Sequence, residues 1–519
     1  MAADMSQATD IQQASGLIVP DLFRYHALYH GQRIAIEDAT RLLTYTELNS
    51  RVNRLVHALV DAGVGRGDRI AILSENRAEY VELELAAAKL GAIAACQNWR
   101  QSRTELEHCL NLATPKLALV SERHAPALAA LSHEMPRIVH FGEEYESLLG
   151  RSVDSEPPHV ASPEDGLVIL YTSGTTGLPK GAVISQRAMI ARTQIEAVDR
   201  PTMPTDTYVA WAPFFHMVST DRALSTLMRG GKVLVHDGFD AERLAQAVAS
   251  EQLGWLNLMP GMIEPTLEAL RAAQVRPIGV RSLGCMADLV PRHQIAELTS
   301  LLQAPYVNTF GSTETGSAPA SKGLIPIGVT PDNLAKEQSS FCSIRLVDDD
   351  DCEVPDGEPG ELTIRGPSLF SGYWHAPEVN AECFRRGWFH MGDVFSRNPD
   401  GLLNFVDRKK YLIKSGGENI YPAEIEQVLL SDDRVADVAV VRKADARWGE
   451  VPVAFVVKRD PRLTPEDIVG LCRGRVANYK LPKEVRFLSE DDLPRSTTGK
   501  IQRHELERRL IDDDAERSR

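Results

Sequence analysis

The stretch Tyr171-Thr-Ser-Gly-Thr-Thr-Gly-Leu-Pro-Lys-Gly181 gathers backbone freedom, hydroxyl donors and one cation into a single loop. Gly174 and Gly177 let backbone N–H groups turn toward an anion. Thr172, Ser173, Thr175 and Thr176 add donors, and Lys180 adds a full charge. A polyphosphate needs that set. The spacing is G-x-x-G-x-x-K, so the loop is not the Walker loop, G-x-x-x-x-G-K-[ST]. A flexible Gly/Ser/Thr linker has the same composition, and the rest of the chain must decide between the two.

Four further stretches combine residue types that suit chemistry. In Asn308-Thr-Phe-Gly-Ser-Thr-Glu-Thr315, Phe310 suits stacking on a base, Thr313 suits donation to a phosphate, and Glu314 suits a Mg²⁺ ion. Taken alone, the stretch is a polar turn. In Gly387-Trp-Phe-His-Met-Gly-Asp393, a carboxylate in a glycine-flanked turn can accept from both hydroxyls of a ribose, or cap its own backbone. Arg408-Lys-Lys-Tyr-Leu-Ile-Lys-Ser-Gly-Gly-Glu-Asn-Ile-Tyr-Pro422 is a charged, glycine-bearing break. Pro494-Arg-Ser-Thr-Thr-Gly-Lys-Ile501 delivers Lys500 on a Gly/Ser/Thr loop.

Short apolar runs and amphipathic helices position these stretches. Gly166–Leu170 reads as a buried strand leading into the loop, Arg33–Glu37, Arg69–Leu73 and Ala92–Ala95 as strands, and residues 77–90 as a helix. Thr44 and Glu47 form a capping box ahead of the stripe Leu48, Val52, Leu55 and Leu59. This alternation runs to about residue 310 and predicts parallel βαβ units in a layered α/β fold. From Cys342 the texture becomes β-rich, with strands at Ser343–Val347, Gly360–Arg365 and Leu402–Val406. Beyond the charged break lies a compact α+β unit, with helices at Ala423–Leu430 and Pro465–Asn478 and strands at Val435–Val441 and Pro452–Val457. The expected domains are residues 17–408 and 409–519.

The 519 residues are 43% hydrophobic and 25% charged, which suits a soluble globular protein of several domains. A net charge of −15 argues against a nucleic-acid partner. Seven scattered cysteines without C-x-x-C argue against a disulfide framework or a zinc site and fit a reducing cytoplasm. The polar first sixteen residues are no signal peptide, and no run suits a membrane span, so no integral membrane contact is expected.

Together and in this order, the five stretches resemble the acyl-adenylate-forming superfamily, which holds acyl-CoA synthetases, peptide-synthetase adenylation domains and beetle luciferases. The resemblance covers about Leu22 to Leu510. It implies a large N-terminal domain of layered α/β sheets plus a β-rich subdomain, followed by a small mobile α+β domain. It implies ATP, Mg²⁺ and coenzyme A as cofactors and a small carboxylic acid as partner, and leaves a homodimer open. Thr172, Ser173, Gly174, Thr175, Thr176, Gly177 and Lys180 then embrace the β- and γ-phosphates. Asn308, Phe310 and Gly311 belong to the adenine side, Thr313 to the α-phosphate, and Glu314 to Mg²⁺. Asp393 and Arg408 match the ribose pair, and Lys410 the hinge. Gly416 and Gly417 match the pantetheine channel, and Lys500 the lysine bridging carboxylate and α-phosphate. His216, in Pro213-Phe-Phe-His216, matches the gate of an acyl pocket that includes Phe215, Met217, Gly284, Cys285 and Met286.

Some residues depart from the family pattern. Tyr411 follows the hinge where aspartate is frequent, and Cys285 and Met286 replace smaller residues, which narrows or reshapes the acyl cavity. Asp221-Arg222 reads as a surface ion pair, with a polar substrate group as the other reading. The apolar segment Pro213–Ser219 lacks the aspartate that meets an amino-acid ammonium, so an aliphatic, alicyclic or aromatic acid is expected. Asn98-Trp-Arg100 resembles bacterial acyl-CoA synthetases with a catabolic role. Only 19 residues follow Lys500, so coenzyme A is the expected acceptor, ahead of a carrier protein. An inactive nucleotide-binding relative would have no reason to keep both Lys500 and Glu314.

Overall fold

The computed structural model describes residues 14–131, 137–172, 178–416, 418–495 and 501–517. The expected alternation builds two mostly parallel sheets. One runs Ile138–His140, Leu117–Val120, Arg69–Leu73, Ile93–Cys96, Gly166–Thr172 and Lys180–Ser185, the last pair antiparallel. The other is nine-stranded, with Gln252–Asn257, Thr207–Ala210 and Lys232–Val235 at its centre. The predicted capping box is present: Glu47 N–H donates to Thr44 Oγ1 at 3.2 Å, and Thr44 N–H donates to Glu47 Oε2 at 2.8 Å.

The helix Ala78–Leu90 is buried along its whole length in the core that both sheets share, although it carries Glu79, Glu82, Glu84 and Lys89. Its ionisable groups find partners on neighbouring elements. Arg51 Nε donates to Glu82 at 2.6 Å, Lys89 donates to Asn53 at 2.6 Å and to Glu156 at 2.7 Å, and Thr220 donates to Glu84 at 3.1 Å. Those bonds offset the cost of taking such groups out of water. Burial lifts the Glu84 carboxyl to about 8, so it stays protonated at neutral pH.

The β-rich segment forms an antiparallel sheet of Ser343–Val347, Gly360–Arg365, Trp388–Arg397, Phe384–Arg385 and Leu403–Arg408. Asp393 therefore lies inside a ten-residue strand and not in the turn that its flanking glycine suggested. The strand bulges there: Glu361 pairs with Val394 and Thr363 with His390, so one residue faces three. Gly392 takes φ +72° within the bulge, a conformation that a side chain disfavours.

After the single turn Lys409–Tyr411, a further five-stranded sheet carries the C-terminal helices and has its own apolar cores. The helix expected over Pro465–Asn478 ends at Cys472, because Arg473 is extended and Gly474 turns at φ +73°. No helix among the described residues is long and apolar enough to cross a membrane.

Candidate active site

Thr172 and Lys180 are cross-strand partners, so the strands on either side of the Gly/Ser/Thr stretch pair as an antiparallel hairpin at the edge of the first sheet. Ser173, Gly174, Thr175, Thr176 and Gly177 lie outside the described residues, as do Gly417 and Lys500. The segment after Gly366 runs back over this hairpin as a strap. Tyr373 bridges to Ala182, and Trp374 N–H donates to the Gly181 carbonyl at 2.8 Å. The Tyr373 ring consequently sits 5.3 Å from Lys180 Nζ.

Glu314 approaches from the other side, in the turn between Gly311–Ser312 and Gly316–Pro319. Tyr373 donates its hydroxyl to Glu314 Oε1 at 2.7 Å, and Phe370 N–H donates to the Glu314 carbonyl at 2.8 Å. Burial, reinforced by the carboxylate, pushes the Tyr373 phenol well above its ordinary range, so it remains a donor. The sequence reading missed Tyr373. Nothing in its spacing links it to a glutamate 59 positions earlier, and only its place after Gly372 in an aromatic strap marks it.

Asp393 and Arg408 are register partners on adjacent strands, with Arg408 Nε 3.2 Å from Asp393 Oδ1. The Asp393 carboxylate is the main reason that the Arg408 guanidinium is held even more firmly protonated. Phe310 is 7% exposed and packs edge-on against Phe395 at 4.7 Å and tilted against Phe405 at 5.5 Å. Asn308 braces backbone: its amide accepts from Ala287 N–H at 2.9 Å and donates to the Leu334 carbonyl at 2.8 Å. It thereby ties the residue after Met286 to the stretch between Val307 and Gly311 that carries Phe310.

His216 caps the helix Met217–Arg229, its Nδ1 accepting from Val218 N–H at 3.3 Å, which leaves the proton on Nε2 in the neutral ring. Phe215 is buried edge-on to Trp99 at 6.0 Å, and Met217 and Met286 pack partly buried on the same core. The Cys285 thiol lies 3.3 Å from the Tyr306 hydroxyl and is pushed up to about 12 by burial, so it is no nucleophile. Asp221 and Arg222 are not a surface pair. Asp221 is buried against Arg192 at 3.0 Å, and the half-buried Arg222 lies against Glu196 at 2.5 Å, because the second turn of their helix faces the packed helix Gln186–Asp199.

The exposed Lys410 occupies the turn between the antiparallel sheet and the last sheet. Its neighbour Lys409 is anchored on the side of the antiparallel sheet, 2.8 Å from Asp349 and 3.0 Å from Glu361. On the other side, Arg503 lies 4.6 Å over the Tyr411 ring and 2.6 Å from Glu426. Tyr411, which departs from the family pattern, therefore has a cationic partner of its own. Asp407 accepts from Ala423 N–H at 2.8 Å across this turn. Gly416 follows the strand Ile413–Ser415 and donates its N–H to the Trp448 carbonyl at 2.7 Å.

Among the described residues, no group of three or more His, Cys, Asp or Glu side chains is placed to hold a metal. Glu314 alone fits Mg²⁺, an ion commonly held by one or two carboxylates together with substrate phosphates.

Comparison with known proteins shows the family. The chain is 34% identical over 500 residues to the indoleacetate–CoA ligase of Aromatoleum aromaticum, covering 94% of this chain and 96% of that protein. It is 35% identical over 480 residues to a feruloyl-CoA synthase from an Amycolatopsis species, covering 92% and 96%. The o-succinylbenzoate CoA synthetase of Bacillus subtilis, solved with the acyl-adenylate intermediate OSB-AMP, superposes with a TM-score of 0.80. The two are 25% identical, over 94% of this chain and 98% of that one. The model of the AMP-binding enzyme family matches residues 23–374, and the model of its C-terminal domain matches residues 424–500. With its hairpin, strap and paired strands in place, the chain belongs to the AMP-binding enzyme family.

Proposed function

We propose that this protein is an ATP-dependent carboxylate–CoA ligase. A carboxylate oxygen attacks the α-phosphorus of ATP, the bond to the β-phosphate breaks, and pyrophosphate leaves. The thiol sulfur of coenzyme A then attacks the acyl carbonyl carbon of the acyl-AMP, AMP leaves, and the thiol proton passes to solvent. The observation that carries the reading is the convergence of Lys180, Tyr373 and Glu314, with the Asp393–Arg408 pair close enough for the Glu314 charge to act on Arg408.

Each residue acts through charge or position. The loop from Thr172 through Ser173, Gly174, Thr175, Thr176 and Gly177 to Lys180 holds the β- and γ-phosphates, and Thr313 donates to the α-phosphate. Glu314 holds Mg²⁺, which when bound neutralises phosphate charge as it develops. Asp393 and Arg408 hold the ribose, beside the adenine side formed by Asn308, Phe310 and Gly311. Lys500 bridges the two reacting anions. The domains are 17–408 and 409–519. Rotation at Lys410 withdraws Lys500 and brings Gly416 and Gly417 to the site for the second step.

The acid is aromatic or carries an aryl group. The three relatives named above all act on such acids, and Trp99, Phe215, Met217 and Met286, packed on one core, offer a matching apolar wall. The cytoplasm is the proposed location, supported by seven cysteines that are all unbridged. The test is acid-dependent pyrophosphate release from Mg-ATP across aryl, fatty, alicyclic and amino acids, with and without coenzyme A. Aryl acids should fire, with thioester appearing only when coenzyme A is present. Release that coenzyme A leaves unchanged would overturn it as the acceptor, and silence across the panel would overturn the ligase reading.

A further inference from the structure

Arg192 lies in the middle of the helix Gln186–Asp199, which starts where the Lys180 strand ends. It is 1% exposed, and its guanidinium reaches three separate segments. Nη2 donates to the Thr313 carbonyl at 2.9 Å, Nε donates to the Ser368 carbonyl at 3.2 Å, and Nη1 donates to Asp221 Oδ2 at 3.0 Å. The first two acceptors are 121 and 176 positions away in the chain. One belongs to the turn that bears Glu314, the other to the strap that bears Tyr373.

The surroundings are shaped to this side chain. Gly316 turns at φ +71°, and a Cβ there would lie 2.8 Å from Arg192 Cγ and Cδ, so the hairpin closes directly over the arginine stem. The next residue, Ser317, is held in the same way by the neighbouring pair, donating to Glu196 at 3.1 Å and accepting from Arg222 at 3.3 Å. Stability alone does not call for such a buried pair, because apolar side chains of similar volume commonly serve as well or better. What apolar groups cannot supply is a rigid fork of donors aimed at two backbone carbonyls.

We propose that Arg192, clamped by Asp221, is a positioning residue for adenylate formation: its guanidinium locks the turn bearing Thr313 and Glu314 against the strap bearing Tyr373. The proposal rests on the ligase reading above. Without the fork, the Thr313 carbonyl and the strap lose their common donor, and the contact between Glu314 and Tyr373 is left to the Phe370 N–H bond to the Glu314 carbonyl and its own hydroxyl bond. The second half-reaction, which starts from acyl-AMP already formed, depends less on that alignment.

The test compares wild type, the double variant Arg192→Met/Asp221→Leu and the single variant Arg192→Lys. The double variant leaves no unpaired charge in the interior, so its fold is expected to survive. Pyrophosphate release with the best acid, thioester formation from supplied acyl-AMP and coenzyme A, ATP binding by calorimetry and thermal unfolding are measured on each. In the double variant, kcat for pyrophosphate release should fall on the order of 10- to 100-fold, the scale of a small misplacement of reacting groups. Thioester formation and the unfolding temperature should stay near wild type, ATP affinity should fall less than kcat, and Arg192→Lys should recover part of the loss. Native adenylation in a folded double variant overturns the proposal. So does a parallel decline of both half-reactions with the unfolding temperature, including outright unfolding, since the role would then be structural. Absence of pyrophosphate release in wild type would instead remove the ligase reading itself.

Discussion

Tyr373→Phe removes one oxygen atom and leaves the ring. The ring keeps its edge contact with Phe370 at 4.9 Å and its place 5.3 Å from Lys180 Nζ. What disappears is the 2.7 Å hydrogen bond to Glu314 Oε1. A hydrogen bond to a charged acceptor contributes roughly 1.5–3 kcal/mol net, about one to two powers of ten in an equilibrium. Loss of a partner that orients a metal ligand typically costs about 10- to 100-fold in metal affinity or activity. The two routes agree, so the Mg²⁺ concentration that half-saturates pyrophosphate release should rise by roughly one order of magnitude or more. The assay is the initial rate of pyrophosphate release against Mg²⁺ at saturating ATP, paired with a thermal melt. The melt should move little, because Tyr373 is only half-buried and its ring packing survives. An unchanged Mg²⁺ titration in a folded variant would refute the orienting role and weaken the assignment of Glu314 as the metal ligand.

Lys410→Pro should slow thioester formation more than adenylation, because proline fixes φ in the turn on which the small domain must rotate; equal rates of both half-reactions would refute the hinge. Met286→Gly should admit bulkier acids, since Met286 packs partly buried on the core that includes Phe215; an unaltered substrate profile would show that it lies off the pocket. Burial lowers His236 from 6.5 to about 4. Below pH 6.5 the unfolded chain takes up a proton that the folded one refuses, so stability should fall as pH drops from 6.5 toward about 4. Melts of wild type and His236→Gln across that window check it: the variant should show the shallower decline, and identical slopes would count against the assignment.

Much of the candidate site could be proposed from the sequence because its chemistry is local. The loop ending at Lys180, the Thr313-Glu314 pair and the Asp393 and Arg408 motifs carry their donors and acceptors within a few positions. The capping box at Thr44 and the strands Arg69–Leu73, Ser343–Val347 and Gly360–Arg365 follow from periods of 3.6 and 2, and they appear as read. Other features had no local signature. The bulge that turns Asp393 toward Arg408 depends on a register set by the neighbouring strand, and it replaced the expected turn. Asp221 and Arg222 looked like surface residues because charge usually faces water; their helix instead packs them against Arg192 and Glu196. The helix Ala78–Leu90 hides its charges in the core because arginine, asparagine and threonine arrive from other elements to meet them. Tyr373 meets Glu314 only because the strap folds back over the Lys180 strand. Sequence spacing encodes periodicity, caps and motifs, which act across one turn or one hairpin. The partners of buried polar groups are assigned by packing, which joins segments more than a hundred positions apart, such as Arg192 and Thr313.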